Sequence, residues 1–306
     1  MKSCSAVRGF ISSFVNGPWP WLIPALGVLL LFRGYPLGNQ FWLAMTDMKI
    51  ASGDASFVGF ENFSFLFSDP NYLTALGFTI LFTSFSVFGS FVLGFGLALM
   101  LNRRMTGRVI YRMGILTTWA ISSLIVGYIW RLMLNESSAG VLNGLLEPFG
   151  IGPVPWLSDP NMAQVSVIVA DIWRSTGFTM IFMLGGLQTL PSEVLEAAKM
   201  DGAKGWQTLL YIVMPLLKPL IAVALIFSTI ATFNVYELVL ALSSGGPGNA
   251  TSTVGFEMYR TAFGDSMNAG LGLIGRGAAM GVSMFLVTLM FALIYIRAGV
   301  FARDLD

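Results

Sequence analysis

The chain has 306 residues and a net charge of +1; 55% of the residues are hydrophobic and only 11% charged. Soluble domains carry about 25% charged residues, so a soluble fold of this length is excluded, and the near-neutral charge gives no ground for a nucleic-acid partner. The absence of histidine and the single cysteine, Cys4, exclude an internal disulfide and a Cys/His metal site, and Cys4 is read as a free thiol.

The apolar residues fall in blocks longer than the ~20 needed to cross a bilayer. They predict an all-α polytopic membrane protein with six spans at about 20–45, 73–101, 109–134, 162–190, 215–242 and 272–296. The first block follows only Lys2 and Arg8 and lacks a small-residue cleavage site, so it is expected to be a retained span rather than a removable signal. In the second span Ser86, Ser90, Gly94 and Ala98 recur at every fourth position, a stripe that lets another helix approach closely; Gly277 and Gly281 make a similar pair in the sixth. Both patterns are read as packing.

The fourth span holds Asp171, Trp173 and Arg174, and the outer half of the fifth holds Asn234, Tyr236 and Glu237. Charges inside a membrane are expensive and need partners or water. Asp171 and Arg174 are three residues apart and can pair on one helix face. Two roles stay open for them: a structural ion pair, or a lining of the cargo path. Trp173 and Tyr236 can stack on a sugar ring or simply anchor the bundle. Arg33, Arg131 and Arg276 are expected near span ends, where their heads snorkel to headgroups.

Between the fourth and fifth spans the chain turns polar, in EAAKMDGAKGWQTLLYIVMP (196–215). Pro191 suits a first helical turn, with Glu193 near its positive end. A short helix running to about Lys199, a reversal at Gly202 and a second short helix with an apolar stripe of Trp206, Leu209, Leu210 and Val213 follow, before Pro215 opens the fifth span. The expectation is a helix–turn–helix whose apolar face is taken up by lipid or by a partner's groove.

Charge bias sets the orientation. One side collects Lys2, Arg8, Arg103, Arg104, Arg108, Arg112, Lys199, Lys204, Lys218, Arg297 and Arg303, while the other holds Lys49 and Arg260 among many acids. The positive-inside rule places both termini and the 191–214 segment in the cytoplasm. The opposite loops, 147–161 and 243–252, are rich in Pro, Gly and Asn, and Asn249-Ala-Thr251 fits a glycosylation acceptor there.

Glu196, Ala197, Ala198, Asp201, Gly202, Ala203, Ile212 and Pro215 stand at the spacing of the EAA loop of bacterial ABC-importer permease subunits. The Asp-Gly-Ala triplet resembles the carbohydrate branch, the maltose-transporter-like permeases. The resemblance extends over almost the whole chain, through YPLGNQFWLAMTD (35–47), FVGFENFSFLFSDP (57–70), IWRLMLNESSAGVLN (129–143), Trp156-Leu157, Asp159-Pro160, GGLQTLPSEVLEAA (185–198) and Gly245-Gly246-Pro247. Some positions depart from it. Thr118 and Ser123 stand where prolines are frequent, which removes the sequence ground for a kink in the third span. Met214 replaces a leucine, Leu209 an aromatic, and Tyr236-Glu237 a Phe-Asp pair.

The resemblance implies a coupling helix, between spans four and five, that docks on a cytoplasmic ATPase. It implies a multi-pass subunit of the bacterial inner membrane that works with a second permease chain, two ATPase subunits and an extracytoplasmic solute-binding protein. Surrounding lipid is the remaining partner. Its cargo would be a sugar, oligosaccharide, polyol or glycerol-phosphate derivative. No cofactor is expected on this chain, since ATP and Mg belong to the ATPase, and the sequence has no Gly-x-x-x-x-Gly-Lys-Ser/Thr loop. No catalytic serine–histidine pair or zinc site is possible without histidine. An aspartyl protease needs two facing aspartates, and Asp171 stands alone. The alternative reading is an ion-coupled secondary transporter, which needs a protonatable midplane group; only Asp171 fits, and a neighbouring Arg174 favours its charged form.

Overall fold

The computed structural model describes residues 19–103, 105–137, 140–264 and 272–300. Lys2, Cys4, Arg8, Arg104, Asp265 and Arg303 lie outside the described residues. Helices account for the secondary structure of that part, apart from an isolated antiparallel bridge between Thr46 and Phe57. Five helices are long and apolar enough to cross a membrane: Trp21–Ala44, Pro70–Asn102, Pro160–Leu187, Gly205–Phe233 and Ile274–Arg297. The pair Arg108–Ala120 and Ser123–Met133, bent by 98°, makes a sixth if counted together.

In chain order, α1 comprises Trp19–Leu29 and Tyr35–Ala44, joined by a π turn at Leu30–Gly34. The short α2 (Glu61–Leu66) precedes α3 (Pro70–Asn102). Next come α4 (Arg108–Ala120), α5 (Ser123–Met133), α6 (Val141–Leu146) and α7 (Pro160–Leu187). Then α8 (Ser192–Met200) is followed by α9, which runs unbroken over Gly205–Phe233. The chain closes with α10 (Glu237–Leu242), α11 (Val254–Phe263) and α12 (Ile274–Val300).

Helices α3 and α7 start the same way, on the repeated tetrapeptide Ser-Asp-Pro-Asn at 68–71 and 158–161. Asp69 caps α3 by accepting from the Asn71 N–H at 3.0 Å, and Asp159 caps α7 by accepting from Asn161 and Met162 at 3.0 and 2.9 Å. Proline follows at a position whose N–H has no helical partner to lose. Both helices therefore begin before the positions at which apolar periodicity starts, 73 and 162.

The small-residue stripe packs α3 on α7. Ser86, Ser90, Gly94 and Ala98 are all buried, and a Cβ at Gly94 would lie 2.7 Å from Thr179 Cβ and 2.9 Å from the Met180 nitrogen. Between helices in lipid there is no apolar surface to hide from water, so such close approach, with its dispersion gain, is what joins them. Gly277 and Gly281 serve two different neighbours: Ala262 of α11 meets the first and Gln40 of α1 the second.

The third span is not one helix. Ile121 and Ser122 take extended backbone angles (φ/ψ −72/140 and −55/137) and the axis turns by 98° between α4 and α5. No proline is needed. The Thr117 and Thr118 hydroxyls donate to the Met113 and Ile115 carbonyls, a back-bonding that loosens a helix end. Ser122 and Ser123 then favour a fresh start.

The fifth span also departs from expectation. It ends at Phe233, not 242, and it begins at Gly205, because the π turn Leu209–Val213 joins the second short helix to the stretch after Pro215 without a break. At its end Asn234 donates its amide back to the Ile230 carbonyl at 2.7 Å, and the Val235 carbonyl accepts from Thr253 Oγ1 at 3.0 Å. These bonds divert the chain into α10, which packs on α5, with Gly127 admitting Ala241 and the Leu238 carbonyl at close range. One apolar core joins α3, α5, α7 and α10 through Phe82, Val126, Val167 and Leu238; another joins α3, α7 and α9 through Phe95, Met180, Val213 and Leu217.

Candidate functional site

Two regions carry the residues singled out from the sequence. The first is the break between α9 and α10, at residues 234–236, and its surroundings. Asp171 is fully buried and accepts on Oδ1 from Arg174 Nη2 at 2.7 Å and Nε at 3.2 Å, while Thr232 Oγ1 donates to its other oxygen at 3.4 Å. The carboxylate therefore spends its charge on orienting the guanidinium. Arg174, 9% exposed, reaches past it and lines two cavities.

One cavity, about 200 Å³, is bounded by Trp119, Arg174, Phe178, Phe227, Ser228 and Thr232. The other, about 190 Å³, is bounded by Ser123, Arg174, Ala231, Asn234, Val235, Tyr236 and Glu237. The second is the more chemically specific, because it gathers a cation, a carboxylate, an amide, a hydroxyl and a phenol where two helices are interrupted. A break frees backbone polar groups, and such irregular backbone is tolerated at membrane depth only beside protein or a water-filled cavity.

The structure thus brings Arg174, Asn234, Tyr236 and Glu237 together and keeps Asp171 behind Arg174. Trp173 lies elsewhere: it lines neither cavity and meets Trp130 edge-on, with ring centroids 6.1 Å apart. Tyr236 lines the second cavity with its ring half-buried, stacked on Tyr259 at 5.3 Å and packed against the α3–α5–α7–α10 core. Ser123 was missed in the sequence. It enters the cavity only because α5 starts there after the bend, which no local pattern announces.

The second region is the 191–214 segment. Helix α8 ends as expected near Lys199, and Asp201, Gly202 and Ala203 form the turn, with Gly202 at φ +76°. The Asp201, Gly202 and Ala203 N–H groups donate to the Ala197, Lys199 and Ala198 carbonyls at 2.9, 3.1 and 3.0 Å. This closes the helix with a left-handed residue where glycine has no Cβ penalty. The Lys204 N–H donates to Gln207 Oε1 at 2.7 Å and starts the next helix. Four consecutive N–H groups, those of residues 201–204, are therefore satisfied within the loop.

The apolar stripe divides. Val213 is buried and Leu209 half-buried against the α3–α7–α9 core, with Ile212 half-buried beside them. Trp206 and Leu210 stay 55% and 50% exposed, joined by Met200 at 87%. Glu193, Glu196 and Ala197 are exposed, Ala198 is buried and Pro215 is exposed. Among the described residues none donates a hydrogen bond to the Glu196 carboxylate, so it does not hold the loop's shape from within.

Elsewhere, polar side chains knit the opposite loops. Glu136 accepts from the Leu157 and Ser158 N–H groups at 2.7 and 2.6 Å, and Asn143 Oδ1 accepts from the Val154 N–H and Trp156 Nε1 at 3.1 and 2.8 Å. Burial alone raises the Glu136 carboxyl, but these hydrogen bonds outweigh it and hold the group below its ordinary value. Glu257 pairs with Arg260 at 2.8 Å, and Arg260 also donates to Asn249, which donates to Asn71. Thr251 is fully buried, so the Asn249 acceptor pattern belongs to this packed loop. Arg276 does not snorkel; its guanidinium lies 3.7 Å above the Phe65 ring.

A bundle of membrane-length helices with an open polar pocket at two helix breaks fits a polytopic membrane protein of the transport class. Residues 90–305 match the family described as binding-protein-dependent transport system inner membrane component, and the chain belongs to that family. It is 34% identical over 286 residues to the trehalose/maltose transport system permease protein MalF of Thermococcus litoralis, covering 92% of this chain and 93% of that one. It is 32% identical to the sulfoquinovosyl glycerol transport system permease protein SmoG of Agrobacterium fabrum, over 90% of this chain and 88% of that one. Among solved structures, a bacterial alginate ABC transporter in complex with a pentasaccharide-bound periplasmic protein has a chain that superposes with TM-score 0.77 at 22% identity, covering 95% of this chain and 96% of that one. The protein is accordingly a transport subunit and not an enzyme, and ATP hydrolysis lies in separate subunits. Membership of this family also decides against the ion-coupled transporter.

Proposed function

We propose that this chain forms one half of the translocation pathway of an ATP-driven sugar importer. It has six spans, counting α4 and α5 as one, with both termini and the 191–214 loop in the cytoplasm. A second permease chain completes the pathway, two ATPase subunits engage the coupling loops, and an extracytoplasmic binding protein delivers cargo. The cargo is a sugar, oligosaccharide, polyol or glycerol-phosphate derivative, a reading supported by the trehalose/maltose and sulfoquinovosyl glycerol relatives.

The observation that carries the proposal is the cavity at the break between α9 and α10. Arg174, Asn234, Tyr236, Glu237 and Ser123 offer hydrogen-bonding groups of both kinds around one pocket, which suits a polyhydroxylated ring. The coupling residues Glu196, Ala197, Ala198, Asp201, Gly202, Ala203, Ile212 and Pro215 sit on or beside a turn whose N–H groups at 201–204 are bonded within it. Its exposed Met200, Trp206 and Leu210 supply an apolar contact.

Reconstitution tests both parts. Proteoliposomes holding the complete complex should take up radiolabelled sugar only with internal ATP and loaded binding protein. Uptake that follows an ion gradient without ATP would overturn the proposal.

A further inference from the structure

The cavity at the break between α9 and α10 has two charged side chains on its wall, Arg174 and Glu237. They are not equivalent. Among the described residues the ion pairs are Asp171–Arg174 and Glu257–Arg260, which leaves Glu237 without a counter-charge. No hydrogen bond from those residues reaches its carboxylate either. Glu237 is half-buried at the start of α10, on an open pocket it shares with Ser123, Arg174, Asn234 and Tyr236.

Arg174 does not offset it, because that charge is already taken. Its Nε and Nη2 both donate to Asp171 Oδ1, at 3.2 and 2.7 Å, and Asp171 is fully buried. The pair is neutral as a unit. What it leaves for a ligand is the N–H donors of Nη1, which no described residue accepts. Arg131 stands eight residues beyond Ser123 on α5, roughly 12 Å at ~1.5 Å per residue, and lines neither cavity. The pocket therefore carries one surplus negative charge. Between low-dielectric walls an uncompensated charge sets the local potential.

A carboxylate accepts and never donates, and its two oxygens can take a proton each from two neighbouring hydroxyls. A sugar ring supplies such a pair. Its hydroxyls are acceptors too, and so also suit the Arg174 Nη1 and Asn234 amide donors. A phosphate, sulfonate or carboxylate substituent instead brings a second negative charge to a place with no spare cation.

We propose that this pocket admits uncharged sugar rings and repels anionic ones, and that Glu237 sets the selectivity by accepting from two adjacent ring hydroxyls while Arg174 donates to a third oxygen. The inference rests on the importer reading above and narrows its cargo, removing the glycerol-phosphate derivatives.

The test reads the sign of the pocket and needs no knowledge of the cargo. In the complete complex, with Cys4→Ser as background, Ser123→Cys places a thiol on the pocket wall. Its rate of modification is measured with a cationic methanethiosulfonate, the ethyltrimethylammonium reagent, and with an anionic one, the ethylsulfonate. The ratio of the two rates is normalised to that for 2-mercaptoethanol in solution. It should favour the cation by about tenfold, fall to near one with Glu237→Gln, and survive Glu237→Asp. A normalised ratio of one or below in Ser123→Cys would mean that Arg174 governs the pocket and would overturn the inference. A ratio unmoved by Glu237→Gln would do the same, as would uptake of glycerol 3-phosphate by wild-type proteoliposomes. If Glu237→Gln does not assemble, the ratio in Ser123→Cys decides alone. A thiol at Ser123 that reacts with neither reagent, while a cysteine at Gly248 reacts with both, would instead sink the cavity as a cargo path and with it the reading beneath this one.

Discussion

Substituting Gly202 separates two reasons for a glycine in the 201–203 turn, its own backbone conformation and the ATPase docking proposed above. At φ +76° an L-residue other than glycine pays roughly 1–2 kcal/mol in backbone strain, while a Cβ there meets no atom of this chain within 4 Å. Gly202→Ala therefore has no internal collision, and strain alone should lower the population of the observed turn by about 5–30-fold. Asparagine tolerates this left-handed region far better, so Gly202→Asn should be nearly neutral if backbone conformation is all that matters. If the ATPase surface lies against the turn, asparagine and aspartate should both fail, because any side chain would occupy the contact. The assay is ATPase activity stimulated by loaded binding protein, measured beside uptake in proteoliposomes, with membrane insertion checked separately. We expect Gly202→Asp and Gly202→Asn to insert normally and to lose stimulation and uptake, with Gly202→Ala intermediate. Wild-type stimulation and uptake in Gly202→Asp would refute the docking role of this loop.

Three further outcomes follow from the geometry. Asp171→Asn leaves Arg174 buried without its counter-charge, a loss of about 3–5 kcal/mol; it should lower the yield of folded complex in detergent, and uptake with it, whereas normal yield with abolished uptake would mark Asp171 as lining the cargo path. Glu136 has a depressed carboxyl, so its stabilisation is present above its ordinary value of 4.5 and is lost as pH falls through the lower folded value. Limited proteolysis of the 134–159 segment should therefore quicken below pH 4.5 in the wild type, with Glu136→Gln cleaved readily at every pH; a wild-type rate that ignores pH in this window would contradict the assignment. For topology, an impermeant thiol reagent on spheroplasts should label a cysteine at Gly248 but neither Cys4 nor a cysteine at Gly205, and labelling at Gly205 would invert the proposed orientation.

What the sequence determined by itself was the local and the additive. The apolar blocks announce membrane helices because each span's backbone must satisfy itself within about 20 residues. The stripe of Ser86, Ser90, Gly94 and Ala98 and the turn at Gly202 were legible for the same reason, since helical periodicity and a left-handed cap are local properties. The repeated Ser-Asp-Pro-Asn was equally available as a cap for α3 and α7, but hydropathy alone does not register it. Tertiary structure decided the rest. The fifth span stops at Phe233 because Thr253, eighteen residues after Val235, holds that carbonyl. Ser123 joins Arg174 and Tyr236 because α4 and α5 part by 98°. Half of the stripe Trp206, Leu209, Leu210 and Val213 turns inward because Val213 and Leu209 have a core to pack on. Arg33 is exposed because, among the described residues, no other helix buries its turn of α1. Each of these depends on which distant atoms arrive at a position, and periodicity along the chain carries no record of that.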